Sequence, residues 1–289
     1  MTNPREVAVP ERDVCGDDCY NVTRRDLGAL VVGAGAVALA PLTAEAALSV
    51  TETDVTIKTP DGDCDAVLIH PTSGAHPGVL VWPDIGGLRP VFRDMGKRLA
   101  AEGYTVLVPN PFYRSAKADA SATASREDRG KMREALFAEG APEKDAAAFV
   151  AFLDQQKATK TSAKLATTGY CMGGPLTMRT AAAQAGRIAA AASFHGGGLA
   201  TDQPNSPHLL VPNMKAKYLI CVAENDDQRD PEAKNKLRAA FEAAKNPADI
   251  EVYAGANHGW CVPGSQVYNE AQAEKAWAKL LALLKSTLS

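Results

Sequence analysis

The stretch "TTGYCMGG", Thr167 to Gly174, constrains the chain more than any other. It places one cysteine among glycines, directly after an apolar, β-branched approach and just before Pro175. The frame is Gly-x-Cys-x-Gly, the spacing of a nucleophile elbow with cysteine in the serine slot. Such a turn reverses a strand into a helix within one or two residues and forces a strained backbone on the residue at its tip. Gly169 and Gly173 remove the Cβ atoms that would collide there. Gly174 and Pro175 begin the helix, since proline is tolerated in a first turn. Cys171 would then stand at the carboxyl end of a central strand, where open α/β sheets bind ligands. A helix N-terminus beneath it lowers a thiol pKa and offers free N–H groups. The plainer reading is that small residues let this helix pack closely on its sheet.

The rest of the chain supports a sheet of that kind. Thr53–Lys58 and Asp65–His70 alternate apolar and polar residues around "TPDGD", which predicts an antiparallel hairpin. Gly78–Trp82 is a continuous apolar run, as expected of a strand covered on both faces. Val91 to Glu102 puts Phe92, Met95 and Leu99 on one helical face, and Gly103 closes it. Further strands are predicted at Tyr104–Pro109, Lys164–Thr168, Ile188–Phe194, Lys217–Val222 and Asp249–Tyr253. Helices are predicted near 126–139, 143–157, 231–244 and 269–287, the last burying Trp277, Leu280, Leu281 and Leu284. The polar Ser115–Ser125 segment reads as a surface excursion. Eight strands, two in a leading hairpin and the rest alternating with helices, predict an α/β fold with a mainly parallel sheet and helices on both faces.

The N-terminus has a different character. Arg24–Arg25 precede an apolar stretch from Leu27 to Leu42, and "AEA" at Ala44–Ala46 follows. This is the pattern of a twin-arginine export signal with a peptidase site. The stretch is shorter than the ~20 residues that span a bilayer comfortably, so membrane contact is expected to be transient. The alternative is an uncleaved anchor. The chain would divide into a signal region, 1–46, and one catalytic domain, 47–289, in the periplasm or outside the cell. "GAGAVA" at Gly33–Ala38 lacks the third glycine of a dinucleotide-binding turn, and an arginine pair stands where its strand should lead in.

Composition excludes some functions. A net charge of −3 leaves no basic footprint for nucleic acid. Cys15 and Cys19 are the closest cysteines, with no second pair at zinc spacing, so no structural metal or cofactor is expected. Cys64, Cys221 and Cys261 would accompany Cys171 in the exported form, and no obligatory disulfide is expected. An oxidising compartment would nonetheless threaten a thiolate nucleophile.

A nucleophile at the elbow needs a base, and the base needs a carboxylate to orient it. In elbow folds these follow in chain order as nucleophile, acid, histidine. "YLICVAENDDQRDP" supplies a strand and then Asp226 and Asp227; "EVYAGANHGW" supplies a strand, a loop and His258. Counting from the strand end favours Asp226, with Asp227 as the alternative acid or as part of a helix N-terminal cluster.

These residues resemble those of the dienelactone hydrolase family, within the α/β-hydrolase fold. The likeness covers most of residues 50–288. "GYCMGG" is its most specific element, supported in order by "VLVWPDIGG", "AEGYTVLVPNPFYR", "AEND" and "NHGW". It implies a Cys171–Asp226–His258 triad, an oxyanion hole from the N–H groups of Met172 and Ile85, and no cofactor. The family carries a glutamate that bonds the resting thiol; the matching position here is Asp84, one methylene shorter. Asp84 could equally serve the helix that begins near Pro90. The family's type member also clamps a substrate carboxylate with two arginines. Arg129, or failing it Arg126, matches the first, but Val262 stands where the second belongs. Trp260 and Tyr113 would make the pocket apolar or lie in the core, and His195 could line the pocket or be structural. The expectation is therefore a monomeric exported hydrolase of a small-molecule ester or lactone, acting through a thioester. The alternatives are another acyl hydrolase or acyltransferase on this fold, and a non-catalytic binder with Cys171 as a redox sensor.

Overall fold

A computed structural model of the chain describes residues 47–288. The expected export signal and cleavage site, with Cys15 and Cys19, lie outside the described residues. Eight strands form one sheet in the order β1-β2-β4-β3-β5-β6-β7-β8. β1 (Val50–Thr59) and β2 (Gly62–Pro71) pair antiparallel, from Val50 opposite Pro71 to Thr59 opposite Gly62. They turn at Pro60–Asp61, inside the expected "TPDGD". β2 is also antiparallel to β4 (Thr105–Pro109). From β4 onward through β3 (Gly78–Trp82), β5 (Leu165–Tyr170), β6 (Ile188–Phe194), β7 (Lys217–Ala223) and β8 (Ala248–Tyr253) every pairing is parallel.

Strand alternation divides the core in two. Val79 and Val81 of β3 face one side, with Phe92, Met95 and Leu99 of α1 (Pro90–Ala101) and Trp277, Leu280 and Leu284 of α8 (Glu270–Leu288). Leu80 and Trp82 face the other side, with Phe149 and Leu153 of α4 (Ala141–Gln155), Leu176 of α5 (Gly173–Ala183) and Leu237 of α7 (Pro231–Ala243). All five residues of β3 are buried, as its unbroken apolar run requires. Each large side chain removed from water here contributes about 1.5–3 kcal/mol.

Four details depart from the sequence reading. The Ser115–Ser125 excursion contains a short helix, α2 (Ala118–Ala122), before α3 (Arg126–Leu136). The acids after β7 form another, α6 (Glu224–Arg229), and Pro207–Asn213 is a 3-10 helix. Leu281 is only half-buried, because it lies to one side of the stripe formed by Trp277, Leu280 and Leu284.

Candidate active site

β5 stops at Tyr170, and Cys171 follows with φ at +51°. Its N–H donates to Phe194 O at 3.0 Å, and its carbonyl accepts the Gly174 N–H at 3.0 Å. The neighbouring strand and the first turn of α5 thus hold the residue in a left-handed conformation that costs of order 1–3 kcal/mol. The glycines are sterically required. A Cβ on Gly169 would lie 2.2 Å from Gly173 O, and one on Gly173 would lie 2.3 Å from Trp82 O. A Cβ on Gly174 would meet Gly196 Cα at 2.5 Å. Cys171 emerges 8% exposed.

β7 delivers the second group. Directly after it, Asp226 on α6 brings Oδ2 to 2.6 Å from His258 Nδ1. A carboxylate at that distance orients the ring and favours the proton on Nδ1. Arg229 Nη1 lies 3.5 Å from the other oxygen of Asp226. Asp227 turns away and pairs with Lys234 of α7 at 2.5 Å.

The loop carrying His258 is clamped by two side chains that sequence reasoning did not single out. Asn225 Oδ1 accepts the His258 N–H at 2.8 Å, and Glu224 Oε2 accepts the Gly255 N–H at 3.1 Å. The Glu224 N–H in turn donates to Ala256 O at 2.8 Å. The only signal in the sequence was their place beside Asp226 in "AEND".

A third group comes from the end of β6. The His195 ring lies 4.9 Å from that of His258, centroid to centroid, at 71°. Trp260 packs on the other rings of this cluster, 5.2 Å from His195 and 5.2 Å from Tyr253. Trp260 is fully buried. His195 is almost fully buried, and that burial, with His258 beside it, holds its imidazole well below the usual range. It is therefore neutral at physiological pH.

The other expected site residues stand as follows. Asp84 accepts from Gly86 N–H at 2.8 Å and from both terminal nitrogens of Arg89 at 2.5 and 2.8 Å. Arg89 is the cap residue of α1, so Asp84 braces the β3–α1 loop through the Arg89 side chain; it caps no backbone N–H of the helix. Ile85 sits in that loop and Met172 caps α5. Arg129, on α3, donates to Ala122 O at 3.3 Å, and Arg126 is the first residue of α3. Val262 is buried. The Tyr113 hydroxyl is committed to Asp145 at 2.7 Å and Thr59 at 2.8 Å, within a network that also holds Arg114. The Tyr113 ring packs among the buried residues on the α4/α5 side of the sheet.

Cys64, Cys221 and Cys261 are free and buried. Burial pushes all three thiols up, that of Cys221 to about 12, which keeps them protonated and poorly nucleophilic. A cavity of about 490 Å³ lies on the α1/α8 side, walled by Met95, Tyr170, Phe194, Cys261 and Trp277. Neither Cys171 nor His258 lines it.

Comparison with known proteins bears on the family and the fold. A sequence model of the dienelactone hydrolase family matches residues 64–288. A carboxymethylenebutenolidase of Rhodococcus opacus is 27% identical over 196 residues, covering 66% of this chain and 74% of the relative. A dienelactone hydrolase-like promiscuous phosphotriesterase from metagenomic libraries superposes with TM-score 0.71 at 20% identity, over 83% of this chain and 99% of the other. The dienelactone hydrolase of Anabaena variabilis gives TM-score 0.58 at 18% identity, over 83% and 99%. At such identities the structural likeness speaks for the fold alone, which is that of the α/β hydrolases.

Proposed function

The chain belongs to the dienelactone hydrolase family and is a lactone or ester hydrolase of that kind; we propose that Cys171 is its nucleophile, His258 its base and Asp226 the carboxylate that orients the base. One observation carries the reading: Asp226 grips His258 at 2.6 Å, and the same His258 ring rests on the residue after Phe194, whose carbonyl holds the Cys171 N–H. Four strand ends, those of β5, β6, β7 and β8, are linked by these contacts.

The chemistry follows from the groups. With Nδ1–H donated to Asp226, His258 is left with Nε2 as a proton acceptor. It takes the thiol proton as Cys171 sulfur attacks the substrate carbonyl. The developing oxyanion is met by the N–H groups of Met172 and Ile85; neither donates a backbone hydrogen bond among the described residues. Preorganised donors of this kind are usually the largest catalytic contribution. The tetrahedral intermediate collapses, the carbon–oxygen bond of the ester or lactone breaks, and the leaving oxygen takes the proton from His258. His258 then deprotonates water, which attacks the thioester. Cys171 leaves and recovers a proton, and the acid is released.

The arginine clamp of the family's type member is incomplete, with Val262 buried where the second arginine belongs. The substrate we propose is therefore a lactone or ester without a second carboxylate. Export through the twin-arginine signal belongs to the same proposal and rests on Arg24–Arg25, the apolar stretch and Ala44–Ala46. A hydrolysis screen of small lactones and aryl esters tests the chemistry. Cys171→Ala should lose at least about 10³-fold in kcat; unchanged turnover would refute the assignment.

A further inference from the structure

His195 is the second imidazole at the carboxyl edge of the sheet, and its setting differs from that of an ordinary core histidine. It is 1% exposed and holds φ at +42°. A non-glycine residue keeps such a backbone only where its surroundings over-determine it. Both flanks do so here. The His195 N–H donates to Cys221 O at 2.8 Å, so the strand end is pinned to β7. The next residue, Gly196, has no room for a side chain: a Cβ there would lie 2.3 Å from Ser193 Oγ and 3.1 Å from Gly174 Cα. The residue thus occupies a forced position beside the elbow.

From that position its ring fills the space between Trp260, 5.2 Å away, and His258, 4.9 Å away. The near-perpendicular approach to His258 is a favoured geometry for aromatic pairs. His195 Nδ1 is buried with no hydrogen-bond partner among the described residues. No bond of the His195 side chain explains the placement, but the contact of its ring with His258 does.

The geometry points to His195 as a positioning residue, a flat wall that sets the plane of the His258 imidazole so that Nδ1 stays on Asp226 while the opposite edge addresses Cys171. This rests on the reading of His258 as the base. The wall is neutral, so charge arising on His258 during turnover meets no second cation from β6. Among the described residues, the charged groups seen to face His258 are Asp226 and, through it, Arg229 on α6; Cys261 follows three residues later on its own loop, and Cys171 is the group the reading sets opposite it. Without the wall, water would enter beside His258, favour its protonated form and let the ring swing off Asp226.

Two variants separate this role from a merely structural one. His195→Asn removes the ring but suits a left-handed backbone. His195→Phe keeps a flat ring and drops the nitrogens. With a small lactone followed across pH, His195→Asn should lose about tenfold or more in kcat with KM nearly unchanged, as small misplacements do. The acid limb of its kcat/KM profile should move to higher pH, because the protonated base becomes better hydrated. His195→Phe should stay within about threefold of wild type with its acid limb in place. Wild-type rate and limb in a folded His195→Asn protein would overturn the proposal. So would a folded His195→Phe protein as slow as His195→Asn, since a nitrogen rather than the wall would then be at work. Full turnover in Cys171→Ala would show the underlying reading itself to be wrong, and this proposal with it.

Discussion

Asp226 and Asp227 are neighbours with the same side chain, yet the structure gives them unrelated tasks. One faces His258 at 2.6 Å; the other faces Lys234 at 2.5 Å across α6 and α7. The difference predicts opposite outcomes for one chemical change. Asp226→Asn keeps the shape but can leave His258 in the wrong tautomer, and kcat should fall by about 10²–10⁴. Asp227→Asn should leave kcat within about twofold and cost no more than about 1 kcal/mol, the scale of a partly exposed ion pair. Steady-state kinetics and denaturant melts on both variants check this. Equal losses of activity would mean that the acid has been misassigned.

At the level of elements, the β5–α5 turn is the feature on which the site depends. Its backbone crosses itself so closely that Gly169→Ala places a carbon 2.2 Å from the Gly173 carbonyl oxygen. A backbone atom cannot give way as a flexible side chain can, so the variant should lose at least about 3 kcal/mol of stability in urea melts, the upper range for overpacking. A stable, active Gly169→Ala protein would mean that the turn is looser than it stands here. This element was legible in the sequence because its steric demand is met locally, by glycines at fixed spacing. The long strands and helices were legible for a related reason: their apolar residues recur at period 2 or 3.6. The short helices were not. α6 buries none of its residues and so carries no periodic signal. The clamp of Asn225 on the His258 loop and the brace of Asp84 on Arg89 were also hidden, one spanning 33 residues and the other depending on a loop path. For Trp260 and His195 the sequence left both core and pocket open, because three-dimensional neighbours decide between them.

For the whole molecule, the sheet gathers at one edge residues that lie up to 87 positions apart between Cys171 and His258. The two core clusters on its faces pack the helices against the strands whose ends meet there. The folded domain begins its first strand at Val50, a few residues after the proposed cleavage point. N-terminal sequencing of the exported protein should therefore begin near Ala47, and an exported form retaining Arg24–Arg25 would support the anchored alternative instead. The central claim is that the sulfur of Cys171 carries the acyl group between the two half-reactions. Intact-protein and peptide mass spectrometry, after rapid acid quench of the enzyme turning over an activated aryl ester, tests it most directly. One acyl mass is expected on the peptide containing Cys171, disappearing as substrate is exhausted. An acyl group found on another residue, or rapid hydrolysis with Cys171 unmodified at every time point and dispensable as alanine, would contradict it.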